Sequence, residues 1–182
     1  QVRWPGWLGW DAAGGALPAT GEADAHVVAA VGPEGLYAPL AQTLGDAKTT
    51  IDLSLYTLEH PQLARLLASA VQRGVRVRIL LDGAPPGGIT DLQKWCVAQI
   101  AAAGGDVRYF AVRADAPNGL KRRYRYLHAK YGTVDGRVAI VSTENLSEDS
   151  MPLPSSQPVG GRRGFVLLTD APPVVAALQS TF

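Results

Sequence analysis

Cysteine is almost absent from this sequence. Cys96 is the single cysteine among 182 residues, so no intrachain disulfide can form and a cysteine-rich zinc site is excluded. Cys96 lies within an apolar helical pattern, which favours a place in the protein core. Cysteine-based cross-links therefore play no part in holding this chain together.

The sequence also lacks an excess of charge and a long apolar run. The 17 basic and 16 acidic residues give a net charge of +1, so no overall field points to a nucleic-acid partner. No stretch of about eighteen apolar residues occurs, which excludes a membrane-spanning helix. The chain opens at Gln1 without the regions of a signal peptide and stops in an apparent helix. We therefore expect a soluble domain, mature or excised from a longer protein, and its compartment, exported or membrane-peripheral, stays open.

Length and composition suit one α/β domain with a substantial core, since 47% of the 182 residues are hydrophobic. Residues 1–24 carry three tryptophans among Gly, Pro and Ala without a clear period. This segment predicts an irregular N-terminal arm, and residues 25–182 predict the domain itself. Trp4, Trp7 and Trp10 are more readily explained by packing than by ligand binding.

Strand and helix periods alternate along the domain. Strands are predicted at 26–31, 51–56, 75–81, 107–112, 125–134, 137–141 and 165–169, and helices at 35–48, 61–74, 90–103 and 172–182. Asp135-Gly136 is a favoured turn pair for the hairpin between two of these strands. The β-α alternation, the hairpin and a final β-α unit predict a mixed sheet with helices on both faces.

One short pattern carries groups suited to chemistry. It reads H-x-K-x4-D-x6-S-T-x-N, with its defined positions at His128, Lys130, Asp135, Ser142, Thr143 and Asn145. His128 and Lys130 are two residues apart in a predicted strand and would project from one face. An imidazole titrates near neutral pH and can be a nucleophile or an acid/base group, and a lysine can hold a phosphate oxygen. The pattern indicates a site that attacks a phosphodiester without a metal.

This pattern resembles the HKD motif of the phospholipase D superfamily, H-x-K-x4-D-x6-G-S-x-N, with Ser142 in the Gly position and Thr143 in the Ser position. Residues 47–82 also look like the first half of a phospholipase D domain, and the resemblance covers residues 26–182. It implies an α/β half-domain with a mixed, mostly parallel sheet sandwiched by helices on both faces.

The resemblance also implies a two-step reaction that needs no cofactor or metal. His128 would attack phosphorus to form a phosphohistidine, and water or an alcohol would then release the product. Lys130, Thr143 and Asn145 would stabilise the negative charge on the phosphoryl oxygens. Asp135 and Ser142 are assigned structural places in the motif, because Asp135 directly precedes the turn glycine.

A second histidine is needed to protonate the leaving group, and the sequence contains one HKD motif. His26 and His60 do not belong to another. Single-motif members of the superfamily resemble half-enzymes that dimerise, and double-motif members carry both halves in one chain. We therefore expect a homodimer or a second HKD half in a longer chain.

The sequence departs from the family pattern in one respect. In many members an acidic residue just before the next strand orients the histidine, but residues 160–164 contain no carboxylate. The acids that could replace it are Glu144, Glu148, Asp149 and Asp170, and the sequence does not choose among them.

Basic residues lead into the motif. From Arg108 to Lys130 there are seven basic residues and one acid. In the segment 121–126, nearest the motif, basic residues alternate with aromatic ones. This composition suits binding to the phosphate groups of lipids or nucleic acids. The basic residues of this segment are Lys121, Arg122, Arg123 and Arg125. Three readings stay open: a phospholipid-directed phosphodiesterase, slightly favoured, a nuclease-type phosphodiesterase, and a silent phosphate-binding half-domain.

Overall fold

The computed structural model of this chain describes residues 23–110, 126–155 and 162–182. All but the last two residues of the predicted N-terminal arm, residues 1–24, lie outside these ranges. The basic residues predicted to approach the site, Lys121, Arg122, Arg123 and Arg125, also lie outside them.

The described elements alternate along the chain much as their patterns predict. The strands are β1 (Val27–Val31), β2 (Thr50–Leu55), β3 (Leu58–Glu59), β4 (Arg76–Asp82), β5 (Asp106–Phe110), β6 (Lys130–Val134), β7 (Val138–Ser142), β8 (Leu146–Ser147) and β9 (Phe165–Thr169). The helices are α1 (Tyr37–Gly45), α2 (Pro61–Gln72), α3 (Asp91–Ala102) and α4 (Pro172–Thr181).

Seven of the described strands form one mixed sheet in the order β1-β9-β7-β6-β2-β4-β5. β2 is parallel to β4 and β4 to β5, whereas the other neighbouring pairs are antiparallel. β6 and β9 consequently run against the other five strands, so most strands share one direction. Helices α1, α2 and α3 share a core with one face of the sheet, while α4 packs against β6 and β7. The predicted fold class, a mixed sheet between helices, is confirmed.

The core lies between the sheet and helices α1 to α3. Alternate residues of β2 and β4, among them Leu53 and Ile79, are at most 2% exposed and pack with leucines of α1 and α2 such as Leu40 and Leu67. Cys96 of α3 is fully buried in the same core, and burial raises the pKa of its thiol to about 11. The predicted core placement of Cys96 is therefore confirmed.

Two helices begin at side-chain caps. The Thr90 hydroxyl accepts the Gln93 N–H at 3.1 Å, and the His60 ring accepts the Leu63 N–H at 3.3 Å, with Pro61 in the first turn of α2.

None of the helices described is long and apolar enough to cross a bilayer.

Two features differ from the sequence prediction. β6 begins at Lys130, so His128 precedes the strand rather than projecting from it. The reason is that the partner strand β2 pairs only as far as Leu55 with Lys130, and beyond it the Leu127 N–H donates to the Asp82 carboxylate. Also, β3 and β8 form a small parallel two-stranded sheet, and neither strand is among those predicted from the sequence.

Candidate active site

The four residues predicted to be catalytic lie at one edge of the large sheet. Lys130 opens β6 opposite Leu55, the last residue of β2, and His128 precedes it by two residues. Thr143 and Asn145 follow directly after the end of β7. Because β6 is antiparallel to both β2 and β7, its start lies beside their ends. The hairpin therefore brings the two parts of the motif to the same edge.

The His128 ring is exposed and stands edge-on to Tyr56. The two ring centroids are 4.7 Å apart and the planes are inclined by 62°. Tyr56 directly follows β2, and Asp82 ends the neighbouring strand β4 with a fully buried side chain. The Asp82 carboxylate accepts the N–H groups of Leu127 and, at 2.8 Å, Ala84. His128 is therefore accessible to a substrate while the backbone before it is anchored.

Lys130 places a positive charge beside the Tyr56 ring, in a position that is nearly buried. Its side chain is 8% exposed, and its Nζ donates to the His128 carbonyl oxygen at 3.0 Å and lies 5.2 Å from the Tyr56 ring centroid. Burial lowers the pKa of Lys130, and the negative charge of Glu144 opposes that change. An ammonium has three protons, so the bond to His128 leaves donors for a bound anion.

Thr143 and Asn145 can add further donors. The Thr143 hydroxyl oxygen accepts the Phe165 N–H at 2.9 Å, which leaves the hydroxyl proton available to another acceptor. Asn145 Oδ1 is buried and has no hydrogen-bond partner among the described residues. Since rotation of an amide exchanges its oxygen and nitrogen, this side chain can present either polarity.

The Asp135 carboxylate lies at the opposite end of the sheet, in the turn between β6 and β7. Asp135 has a positive φ of 54°. Its carboxylate oxygens accept hydrogen bonds from the N–H groups of Lys48, Thr49 and Thr50 and from the Thr49 hydroxyl, at 2.7 to 3.1 Å. Burial would raise its pKa, but these hydrogen bonds lower it to about 2. Asp135 therefore fastens the hairpin to the start of β2, away from His128.

Ser142 is occupied within its own turn. Its hydroxyl accepts the Glu144 N–H at 3.0 Å and donates to the Glu144 carbonyl oxygen at 2.9 Å. This local bonding suits the structural place that the motif gives it.

The other two histidines have partners of their own. His60 is fully buried at the start of α2, which its ring caps, and its Nε2 lies 2.9 Å from the Met151 carbonyl oxygen. His26 precedes β1 at the far end of the sheet and pairs with Asp170 at 3.0 Å. His128 is thus the exposed histidine at this edge.

Sequence reasoning missed Tyr56 and Asp82 as parts of the site. Both lie where parallel strands end, and the ends of neighbouring strands meet at one edge of a sheet. The Asp82-Gly83 pair directly after an apolar strand is the sequence signal that could have identified Asp82. Tyr56 gives no such signal, because in the sequence it looks like one more residue on the polar side of its strand.

Fold and cluster together define an α/β domain that gathers an imidazole, an ammonium, a hydroxyl and an amide at one sheet edge, a set suited to phosphoryl chemistry. Residues 40–182 match the family described as "Cardiolipin synthase, PLD-like domain". The chain therefore belongs to the phospholipase D superfamily, as its motif predicts.

Two known proteins are similar to this chain in sequence. The chain is 29% identical over 150 residues to cardiolipin synthase B of Escherichia coli K12, a match that covers 80% of the chain and 35% of that protein. It is 30% identical over 146 residues to mitochondrial cardiolipin hydrolase of Xenopus laevis, covering 79% and 57% respectively. The chain thus spans from about a third to somewhat over half of these relatives.

The solved structure of Nuc, a phospholipase D family member from Salmonella typhimurium, has the same fold. Its TM-score is 0.70 at 18% identity, over 87% of this chain and 91% of that one.

Proposed function

We propose that this domain is a phosphodiesterase that works through a phosphohistidine at His128, with a phospholipid as its substrate. The observation that carries the proposal is the exposed His128 ring beside the nearly buried Lys130 ammonium. A fixed cation in a water-poor setting stabilises developing negative charge more strongly than one in bulk water.

The proposed reaction has two displacement steps. In the first, a His128 ring nitrogen attacks phosphorus, the bond from phosphorus to the leaving oxygen breaks, and a second histidine gives that oxygen a proton. In the second, the same histidine takes a proton from water or an alcohol, whose oxygen attacks phosphorus and breaks the bond to His128. Lys130, Thr143 and Asn145 donate to the phosphoryl oxygens in both steps.

The second histidine is proposed to come from another HKD-bearing domain, either a second copy of this chain or a second half in a longer one. His128 is the exposed histidine at this sheet edge, whereas His60 is buried. This supports a second domain, because one imidazole cannot be nucleophile and acid in the same step. Apolar side chains exposed near the site would suit contact with such a domain. Phe165, which bonds Thr143 through its backbone, is 59% exposed, and Val31 opposite it is 49% exposed.

A phospholipid is proposed because the matching family and both curated relatives bear names that refer to cardiolipin. The test is release or transfer of headgroup from vesicles of phosphatidylglycerol or cardiolipin in the presence of EDTA. We expect turnover by the native chain and a loss of at least about a hundredfold in His128→Ala. His26→Ala is the matched control, because it removes a histidine far from the site.

Nucleic acid is the second candidate, favoured by the interleaved basic and aromatic residues of the segment 121–126. Metal-free nicking of plasmid DNA, again compared between native protein and His128→Ala, separates this substrate from phospholipid. If neither activity depends on His128, the domain is a silent phosphate-binding half and the catalytic proposal is wrong.

A further inference from the structure

The side-chain amide of Gln93 joins α3 to the two-stranded sheet beside the site. Gln93 is 1% exposed, and its Oε1 accepts the N–H of Leu58, the first residue of β3, at 3.3 Å. Leu58 pairs with Leu146, the first residue of β8, which directly follows Asn145. Gln93 is therefore linked to Asn145 through one hydrogen bond and one strand pairing.

Buried polar atoms without a hydrogen-bond partner lie where β3 and β8 begin. Among the described residues, these atoms are Gln93 Nε2, Thr57 Oγ1 and Asn145 Oδ1. Thr57 and Asn145 directly precede the paired residues of the two strands, so the parallel register places them side by side. Gln93 Nε2 belongs to the same planar amide as the oxygen that holds Leu58. Because folded proteins rarely leave a buried polar atom unpaired, a group of such atoms at the candidate site indicates a joint role.

The three atoms complement one another. Gln93 Nε2 can only donate, Asn145 Oδ1 can only accept, and the Thr57 hydroxyl can do both. The Asn145 backbone is already held, because its carbonyl oxygen accepts the Ser147 N–H at 3.0 Å. The neighbouring side chains can therefore still determine which end of the Asn145 amide turns inward.

Resting on the proposed function, we propose that Gln93 is a positioning residue of the site. Together with Thr57 it binds Asn145 Oδ1, directly or through a bridging water, and so keeps this oxygen inside the protein. The Nδ2 protons of Asn145 are then the ones offered to a phosphoryl oxygen of the substrate. An inverted amide would instead turn its oxygen toward the negatively charged phosphoryl group and would oppose the reaction.

The first test compares Gln93→Met with Gln99→Met. Both residues belong to α3 and each variant replaces an amide by an apolar side chain of similar length, but Gln99 lies about 9 Å further along the helix axis. The readout is the ¹H–¹⁵N NMR signal of the Asn145 side-chain amide, assigned by its absence from Asn145→Ala. We expect Gln93→Met to shift this signal and Gln99→Met to leave it in place.

Thr57 provides a second arm that leaves α3 unchanged. Thr57→Val removes the hydroxyl and keeps the shape of the side chain, so it should shift the Asn145 amide signal as well. Thr57→Ser keeps the hydroxyl and should leave the signal near its native position.

The kinetic readout separates positioning from stability. We expect Gln93→Met to lower kcat about tenfold with KM little changed, because Asn145 is proposed to act on charge that develops in the transition state. Asn145→Ala should lower kcat at least as much, and the double variant should show no further loss. Losses that multiply in the double variant would make Gln93 a structural residue only and would overturn the inference.

An unmoved Asn145 amide signal in Gln93→Met would also overturn the inference, whether or not the protein is active. A shifted signal in a protein without any His128-dependent turnover would instead retain Gln93 as the residue that orients Asn145 and reject the proposed enzyme function. The two failures are therefore distinguishable.

Discussion

Tyr56 contacts both of the reactive side chains in the motif. Its ring meets the His128 ring edge-on at 4.7 Å and lies under the Lys130 ammonium at 5.2 Å. Edge-to-face ring pairs and cation–π contacts each contribute about 1 kcal/mol, so the Tyr56 ring favours one orientation of the imidazole and one position of the ammonium.

We predict that Tyr56→Leu lowers kcat/KM at least about tenfold, because a misplaced nucleophile costs rate steeply. Tyr56→Phe keeps the ring and should retain most of the activity. Steady-state kinetics on the preferred phosphodiester measures both variants. Equal losses in the two would show that the hydroxyl, rather than the ring, is the important group.

The hydroxyl donor of Thr143 can be removed without changing the size of the side chain. Thr143→Val removes the hydroxyl proton proposed to meet a phosphoryl oxygen and the oxygen that accepts the Phe165 N–H. We predict a loss of roughly ten- to a hundredfold in kcat, while Thr143→Ser retains activity. Undiminished kcat in Thr143→Val would remove this residue from the charge-stabilising set.

At the scale of elements, the β6–β7 hairpin is tied to the sheet through the Asp135 carboxylate. That carboxylate accepts three backbone N–H groups and one hydroxyl, and its pKa of about 2 lies below the ordinary 3.8. Because the folded-state pKa is depressed, the charged form adds stability above about pH 4, and this contribution is lost as pH falls through about 2.

We predict that Asp135→Asn lowers the free energy of unfolding by about 1–2 kcal/mol at neutral pH, a value reduced for solvent screening. Asparagine tolerates the positive φ of this turn, so the change isolates the charge. Urea unfolding near neutral pH and near pH 3 measures the effect, which should shrink at the lower pH. A difference that does not depend on pH would contradict the assignment.

The buried His60 joins α2 to the segment after the motif. Its Nδ1 accepts the Leu63 N–H, so the neutral ring donates from Nε2 to the Met151 carbonyl oxygen. The Tyr37 ring stacks on it at 5.2 Å. Burial lowers its pKa below 6.5, partly offset by the Met151 hydrogen bond and by the charge of Glu148.

Because the unfolded chain binds a proton at this histidine before the folded one does, we predict that stability falls as pH drops below about 6.5. Native protein should melt a few degrees lower near pH 5.5 than near pH 7.5, since about 1 kcal/mol shifts Tm by that much. His60→Asn, which can still cap α2, should show a smaller difference. An equal pH dependence in both proteins would place its origin in another group.

Much of this element order is predictable because apolar periods are local signals. Pro61 and Gly74 indicate where α2 begins and ends, and Thr90 indicates where α3 begins. Each of these residues affects the backbone within about one helical turn of its own position. The start of β6 is not local: it depends on where β2 stops pairing and on the Asp82 carboxylate contributed by another strand. The place of the Glu144 side chain beside Gly164 is likewise a contact between distant parts of the chain, which no spacing in the sequence reveals.

At the scale of the whole molecule, the proposed second histidine would make the active site a composite of two HKD-bearing domains. We predict that specific activity rises with protein concentration if two copies of this chain supply the two histidines. Sedimentation over the same range should show a dimer, and Phe165→Asp, at an exposed position on the sheet, should weaken both association and activity. A fully active monomer would contradict the need for a second half.

The central claim is the covalent role of His128, and trapping the reaction intermediate tests it most directly. The native chain is mixed with phospholipid vesicles in EDTA, or with DNA in a parallel reaction, and quenched in base, in which phosphohistidine persists. Peptide mass spectrometry then locates the added phosphoryl group. We predict an adduct on His128 that is absent from His128→Ala. Turnover without an adduct on His128, or an adduct on another residue, would contradict it.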